Sequence, residues 1–333
     1  MVKPDAGPKP KVAFYWCASC GGCEEAVVDL AEDILTVVGA VDIVFWPVAL
    51  DFKKSDVEAL ADGEVAVSFI NGAVRTSEQE EMVELLRRKS GLVVAFGTCA
   101  HLGGIPGLAN FHDRRTIFER VYLEAPSNAN PRGVLPQTRS TVDGKELTLP
   151  EFHDTVRTLD QVIDVDYYLP GCAPPPDLIL GAVTAILEGK LPEKGAVLAP
   201  DKSLCDTCPL NDSKPEKVSL AEFKRPHQIL ADPEKCYLAQ GLICHGPATR
   251  SGCGERCINA NMPCRGCFGP TPGVRDQGAK ILSFVASIAG LEGEEKMTDE
   301  EVGRLIGQID DPAGLFYFYS LPSSHMKRKN LST

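Results

Sequence analysis

Three thiols crowd into the stretch "CASCGGCEE", where Cys17, Cys20 and Cys23 stand at two-residue gaps directly after the apolar run "VAFYW". Sulfur donors held this close can ligate an iron–sulfur cluster, bind zinc or run thiol–disulfide exchange. More thiols follow: Cys99 in "AFGTCAHLGG" and Cys172 in "YLPGCAPPPD". Eight others fill the C-terminal half: Cys205 and Cys208 in "LCDTCPL", Cys236 and Cys244 in "KCYLAQGLIC", and Cys253, Cys257, Cys264 and Cys267 in "SGCGERCINANMPCRGCFGP". Eight thiols suffice for two four-iron cubanes at four apiece. Structural zinc fits the same C-x-x-C pairs, and spacing alone does not separate the two.

Bulk properties narrow the chemistry. The chain has 333 residues, 13 cysteines and a net charge of −12. That charge argues against nucleic acid or an anionic membrane as the main partner, since both reward Lys/Arg clusters. The one basic run, "HMKRKN" near the C-terminus, reads as a solvated tail. The opening "MVKPDAGPKP" is polar and proline-rich, without an apolar export segment or twin arginine, and no apolar stretch reaches membrane-span length. These features predict a cytoplasmic protein with no membrane span. In that reducing compartment an odd number of cysteines points to metal or redox cofactors rather than a disulfide framework.

The thiols need elements to hold them. "KVAFYW", "VDIVFW", "VAVSFI", "LVVAFG" and "DVDYYL" are short apolar runs of the kind buried in a parallel sheet. Helix patterns lie among them in "CEEAVVDLAEDILTVV" and "SEQEEMVELLRRK", and "PPPDLILGAVTAILEG" follows with prolines at its start and glycine at its end. The alternation predicts an α/β, flavodoxin-like doubly wound parallel sheet. Cys17, Cys20 and Cys23 then follow the first strand, Cys99 the fourth and Cys172 the fifth, so three loops deliver thiols to one crevice at the carboxyl edge. Gly21, Gly22, Gly97 and Gly171 allow close backbone approach there, and helices starting after Cys23 and Cys172 aim positive ends at an anionic cluster. The plainer reading makes Cys99 and Cys172 small buried apolar residues.

Residues 123–150 interrupt the alternation with Pro, Asn and Gly and read as a surface excursion with one small hairpin. Beyond residue 200 periodicity fades into a cysteine-, glycine- and proline-rich region that bound metal must organise. Helical patterns return in "VRDQGAKILSFVASIAG" and "TDEEVGRLIGQI". The predicted division is a flavodoxin-like domain over 1–195 and a largely irregular iron–sulfur domain with a few helices over 196–333.

In order along the chain, "CGGCEE", "GTCA", "PGCAPPP", "CHGP" and "PCRGC" resemble the motifs of the small, electron-transferring subunit of nickel–iron hydrogenases. "CEEAVVDLAEDIL", "NMPCRGCFGPTPGVRDQG" and the lack of an export signal resemble most the cytoplasmic, methyl-viologen-reducing branch, which in methanogens (the setting of methanogenesis) and some bacteria feeds heterodisulfide reductase. The resemblance implies three 4Fe–4S clusters. It assigns Cys20, Cys23, Cys99 and Cys172 to a proximal cluster, leaving Cys17 as the odd thiol, with an exchange between Cys17 and Cys20 as the alternative. It assigns Cys253, Cys257, Cys264 and Cys267 to a medial cluster and Cys205, Cys208, Cys236 and Cys244 to a distal one. Two departures stand out. Cys205 replaces a histidine found in many members, and Cys257 supplies a fourth medial thiol where many carry proline and a 3Fe–4S cluster.

By resemblance the partners are a nickel–iron large subunit holding the catalytic site, a 2Fe–2S electron-transfer subunit and a flavin-containing heterodisulfide reductase. The alternatives are the small subunit of a deazaflavin-reducing hydrogenase or sulfhydrogenase, and, in a different class, a zinc-stapled scaffold without redox chemistry. The complex I subunit that holds one cluster is a weaker match, because it lacks the eight-cysteine region. No catalytic residue is expected on this chain, and no G-x-G-x-x-G stretch or flavin signature marks a nucleotide. Glu24 and Glu25 read as acids favoured at a helix N-terminus, with proton handling as the functional alternative. His101 and His245 read as donors to backbone carbonyls, and "FYFYSLP" as packing against the core or a partner.

Overall fold

The computed structural model describes residues 8–290 and 297–328. In chain order its strands are β1 (Lys11–Trp16), β2 (Asp42–Phe45), β3 (Val65–Asn71), β4 (Val74–Thr76), β5 (Ser90–Phe96), β6 (Arg139–Val142), β7 (Lys145–Thr148), β8 (Phe152–Arg157) and β9 (Tyr167–Leu169). Five of them form one sheet in the order β2-β1-β3-β5-β9, every pair parallel. Counting only sheet strands, this is the 2-1-3-4-5 order of flavodoxin-like folds.

Side-chain alternation buries both faces. Phe14, Phe69, Val94 and Tyr167 stand in register across four strands. They pack against Ala26, Val27 and Leu30 and against Ile179, Ala182 and Val183 of the helix Pro176–Leu187. Their neighbours Ala13 and Val93 turn to the opposite face, where Met82, Val83, Leu85 and Leu86 of the helix Ser77–Lys89 cover them. That helix starts where its sequence says it should. Thr76 accepts from the Gln79 N–H at 3.3 Å while the Gln79 side chain accepts from the Thr76 N–H at 3.1 Å, a reciprocal cap worth about 1 kcal/mol.

Three features differ from the expected elements. The pattern "CEEAVVDLAEDILTVV" forms two helices, Gly22–Val28 and Asp33–Ala40, with Ala31 at φ 51° between them. The break lets Ala26, Val27 and Leu30 all reach the sheet, whereas Asp33–Ala40 buries no residue fully. β4 and β8 pair into an antiparallel ribbon that three- and six-residue segments were too short to announce. The basic C-terminal run is held by its backbone as far as Arg328, and its last two residues lie outside the described ones. The His325 N–H donates to Asp276 at 3.0 Å, the Lys327 carbonyl accepts from Asn110 at 2.9 Å, and Arg328 donates to the Thr155 hydroxyl. The surface excursion does carry its hairpin, β6–β7, with every residue exposed.

β9 has only three residues, and a carboxylate pins it. Asp166, just ahead of it, accepts from the Val93 N–H at 2.8 Å and pairs with Arg87 at 2.6 Å and Lys194 at 2.5 Å. A separate core runs from Leu204 to Leu321 and includes Tyr237, Leu238, Leu242, Ile281, Val285 and Phe316. Its helices are Arg256–Asn259, Gln277–Ile288, Asp299–Ile306 and Pro312–Phe316, and irregular chain carries the cysteines. Phe316, Tyr317 and Leu321 of "FYFYSLP" lie in that core.

Candidate metal centres

The sheet brings the first set of thiols together at its carboxyl edge. The Gly97 N–H donates to the Leu169 carbonyl at 2.8 Å and the Thr98 N–H to the Gly171 carbonyl at 2.9 Å, which ties the loops carrying Cys99 and Cys172 side by side. Cys23 joins them from the start of the helix Gly22–Val28. Burial, then the charges of Cys99, Cys172 and Cys20, push the Cys23 thiol up, and burial with Cys172 and Cys20 pushes Cys99 up to about 12. Burial and Cys20 raise Cys172 as well. Cys17 faces the other way. It belongs to the core of the opposite sheet face, together with Ala13, Ile70, Ala95 and Ala100, and burial alone raises its thiol.

The C-terminal thiols gather in two further sets. Cys205, Cys208, Cys236 and Cys244 line one enclosed apolar cavity together with Leu210, Tyr237 and Ile258. Burial first, then Cys208 and Cys236, push Cys205 up to about 11, and burial with Cys205 and Cys236 takes Cys244 to about 12. In the other set, burial and the charges of Cys172, Cys257 and Cys253 push Cys267 up to about 12. Burial, then Cys244 and Cys267, raise Cys264 well above the ordinary thiol range. The Thr98 hydroxyl, next to Cys99, donates to the Cys267 carbonyl at 2.5 Å, and the His245 N–H, next to Cys244, donates to the Cys264 carbonyl at 3.0 Å, so the set with Cys264 and Cys267 lies between the other two.

Crowded sulfurs that raise one another's pKa carry negative charge together only when a cation sits among them. The surroundings fit such a group. A Cβ on Gly97 would lie 2.4 Å from Cys23 Sγ and one on Gly104 2.4 Å from Cys99 Sγ, so bare backbone lines the sheet-edge set. Backbone N–H groups aim at sulfur throughout: Ile105 at Cys99, Leu210 and Asn211 at Cys208, Gly246 at Cys244, Glu255 and Arg256 at Cys253, and Gly266 at Cys264. Among the described residues no three His, Cys, Asp or Glu side chains converge as on a single metal ion.

The comparisons with known proteins bear on this arrangement. A protein-family model described as "NADH ubiquinone oxidoreductase, 20 Kd subunit" matches residues 20–186, beginning at Cys20 and ending within the helix Pro176–Leu187. The iron–sulfur subunit of the F420-non-reducing hydrogenase of Archaeoglobus profundus is 41% identical over 322 residues, spanning 96% of this chain and 98% of that protein. This chain belongs to the hydrogenase small-subunit family. The corresponding subunit of the F420-non-reducing hydrogenase of Methanothermobacter thermautotrophicus is 36% identical over 322 residues, spanning 96% of this chain and 97% of that one. The solved [NiFeSe] hydrogenase from Desulfovibrio vulgaris Hildenborough shares the fold: TM-score 0.51 at 20% identity, over 80% of this chain and 95% of that one. This small subunit is thus an α/β sheet domain continued by a cysteine-rich region. None of the described helices is long and apolar enough to cross a membrane.

Several residues of the small subunit sit differently from their sequence reading. Glu24 is buried at 4% exposure, accepting from Asn71 Nδ2 at 2.5 Å and from the Trp46 indole N–H. Burial raises its carboxyl, and the two hydrogen bonds recover only part of that cost. It is a buried acid beside Cys23, more than a helix-terminus charge, whereas Glu25 is exposed. His245 matches expectation, with Nδ1 against the Arg265 carbonyl at 3.1 Å. His101 does not: its ring packs on Tyr168 with centroids 4.6 Å apart, and Nδ1 has no hydrogen-bond partner among the described residues. Sequence reading missed Tyr319, which lies beside Cys267 and Cys172, and the buried polar pair Thr249 and Gln277. None of these stands in a cysteine motif, so no spacing signal marked them.

Proposed function

We propose that this hydrogenase small subunit is an electron relay with three 4Fe–4S sites. Cys20, Cys23, Cys99 and Cys172 hold the proximal site, Cys253, Cys257, Cys264 and Cys267 the medial, and Cys205, Cys208, Cys236 and Cys244 the distal. When bound, the clusters would supply one-electron transfer between a nickel–iron large subunit that oxidises dihydrogen and an acceptor subunit beyond the distal site.

The observation that supports the reading is the order of the thiol-bearing loops: the Cys267 carbonyl accepts from Thr98 beside Cys99, and the Cys264 carbonyl accepts from His245 beside Cys244. The chain's own part is to fix the spacing, to exclude water by burying Cys23, Cys99, Cys244 and Cys264, and to donate backbone N–H groups to sulfur. Further supports concern the surroundings of the relay. Relatives named F420-non-reducing favour an acceptor other than that deazaflavin, such as a 2Fe–2S subunit joined to a flavin-containing heterodisulfide reductase. The reading places the protein in the cytoplasm, with domains dividing near residue 195, in keeping with the start of the second core at Leu204.

Anaerobic purification with accompanying subunits, followed by iron, sulfide, zinc and nickel analysis, tests this. About twelve irons per copy with matching sulfide, nickel in the complex and hydrogen-dependent dye reduction are expected. Zinc without sulfide overturns it in favour of a metal-stapled scaffold.

A further inference from the structure

A second cavity, of about 310 Å³, opens in the C-terminal half and shares no lining residue with the one that holds Cys205, Cys208, Cys236 and Cys244. Its size is that of a small-ligand site, and Phe223, Ile243, Leu315 and Phe318 give it apolar walls. Its charges do not balance. Lys224, Arg225 and Arg265 line it against one carboxylate, Asp311, on a chain whose net charge is −12. Asp311 is already engaged, because its Oδ1 accepts from the Gly314 N–H at 2.9 Å and caps the helix Pro312–Phe316.

The three cations differ. Lys224 pairs with Glu222 at 2.5 Å, and Arg225 reaches Asp310 at 3.5 Å, both pairs in contact with solvent. Arg265 has a buried Nε with no hydrogen-bond partner among the described residues, and its Cζ stands 4.8 Å from the centroid of the Phe318 ring. The ring attracts the cation but offers its N–H groups no oxygen. Gln308 adds a donor, since its Oε1 accepts from the Phe223 N–H at 2.6 Å and its Nε2 hydrogens are left over.

We propose that this cavity binds a small organic carboxylate, its charged end on Arg265 and Gln308 and its apolar body between Phe223, Ile243 and Leu315. A carboxylate presents two oxygens in a plane, the acceptor that the guanidinium fork matches. One unpaired guanidinium calls for one such group, because Lys224 and Arg225 have their own carboxylates. The apolar walls favour a ligand with a hydrocarbon or aromatic body over a bare inorganic ion. The site lies outside the three thiol sets, so the proposal is independent of the relay reading.

The test is titration calorimetry on the anaerobically purified complex, with iron counted per copy and benzoate as the probe. Benzoate is expected to bind saturably at one site per copy, and benzamide, the same ring without the charge, about tenfold or more weakly. Arg265→Gln should weaken benzoate by about tenfold or more with iron unchanged. Gln308→Glu keeps the acceptor for the Phe223 N–H and sits on an exposed residue, so the fold is retained while a second negative charge opposes the probe. It should weaken benzoate likewise, and it decides the matter should Arg265→Gln lose iron. Absence of saturable benzoate binding to the complex overturns the proposal, as it would if an acidic segment of a partner subunit already filled the cavity. Benzamide binding as tightly as benzoate, or benzoate binding unchanged in Gln308→Glu, overturns it as well.

Discussion

The Thr98 hydroxyl, beside Cys99, donates to the Cys267 carbonyl at 2.5 Å. At the other end of the row the His245 N–H, beside Cys244, donates to the Cys264 carbonyl at 3.0 Å. A residue next to a thiol of each outer set thus donates to the main chain of the middle set.

Gly97 closes the sheet-edge set, with φ at +82° and no room for a Cβ beside Cys23 Sγ. Gly97→Ala should therefore displace that sulfur while leaving the two C-terminal sets alone. Iron analysis should find about four fewer atoms per copy than in the parent. An unchanged count would mean that the backbone shifts to admit the methyl.

Cys17 and Cys20 are separated by sheet face, and their substitutions should differ accordingly. Cys17→Ala removes a sulfur from an apolar core, which should cost about 1–2 kcal/mol in unfolding and no iron. Cys20→Ser should spare the core and lose the proximal iron. Iron counts and unfolding midpoints on both variants would expose an exchange of the two roles.

Cys257 is exposed, near the start of the short helix Arg256–Asn259, and Cys253 and Cys267 both feel its charge. Cys257→Ser should convert the medial site from four irons to three, lowering the total by about one atom per copy. EPR of the oxidised protein should then gain a three-iron signal. If the spectrum and count stay as in the parent, Cys257 is not a ligand.

Asp166→Asn should destabilise the protein by about 2 kcal/mol at pH 7, because Arg87 loses the partner that pins β9, while the more exposed Lys194 contributes less. Burial acts to raise the Asp166 carboxyl, but Lys194, Arg87 and the Val93 N–H outweigh it, so its folded pKa is lowered. A lowered folded pKa means stability that is complete above the unfolded value of about 4 and lost as pH falls through the folded one. Denaturant unfolding from pH 7 downward should show parent and variant differing by a constant amount until about pH 4, then converging. A gap that persists in acid would assign the effect to packing.

The five sheet strands and the helix Ser77–Lys89 were legible because burial on both faces and a capping pair are local signals. The thirteen cysteines were legible as candidate metal or redox thiols, with iron–sulfur, zinc and plain burial all left open by their residue type and spacing. By contrast, the β4–β8 ribbon and the break at Ala31 depend on contacts made far along the chain. The orientation of Cys17 followed from strand parity, which the sequence contains but which takes effect only once the sheet has two covered faces. Glu24 shows the limit most clearly. Its place beside a helix start was readable, but its burial against Trp46 and Asn71 required β2 and β3 to arrive from 22 and 47 residues away. The sequence by itself determined which atoms can bind metal. Only the tertiary structure decided which thiol-bearing loops meet, and that Thr249 and Gln277 stand between them, because distance between residues far apart in the chain is a property of packing rather than of spacing.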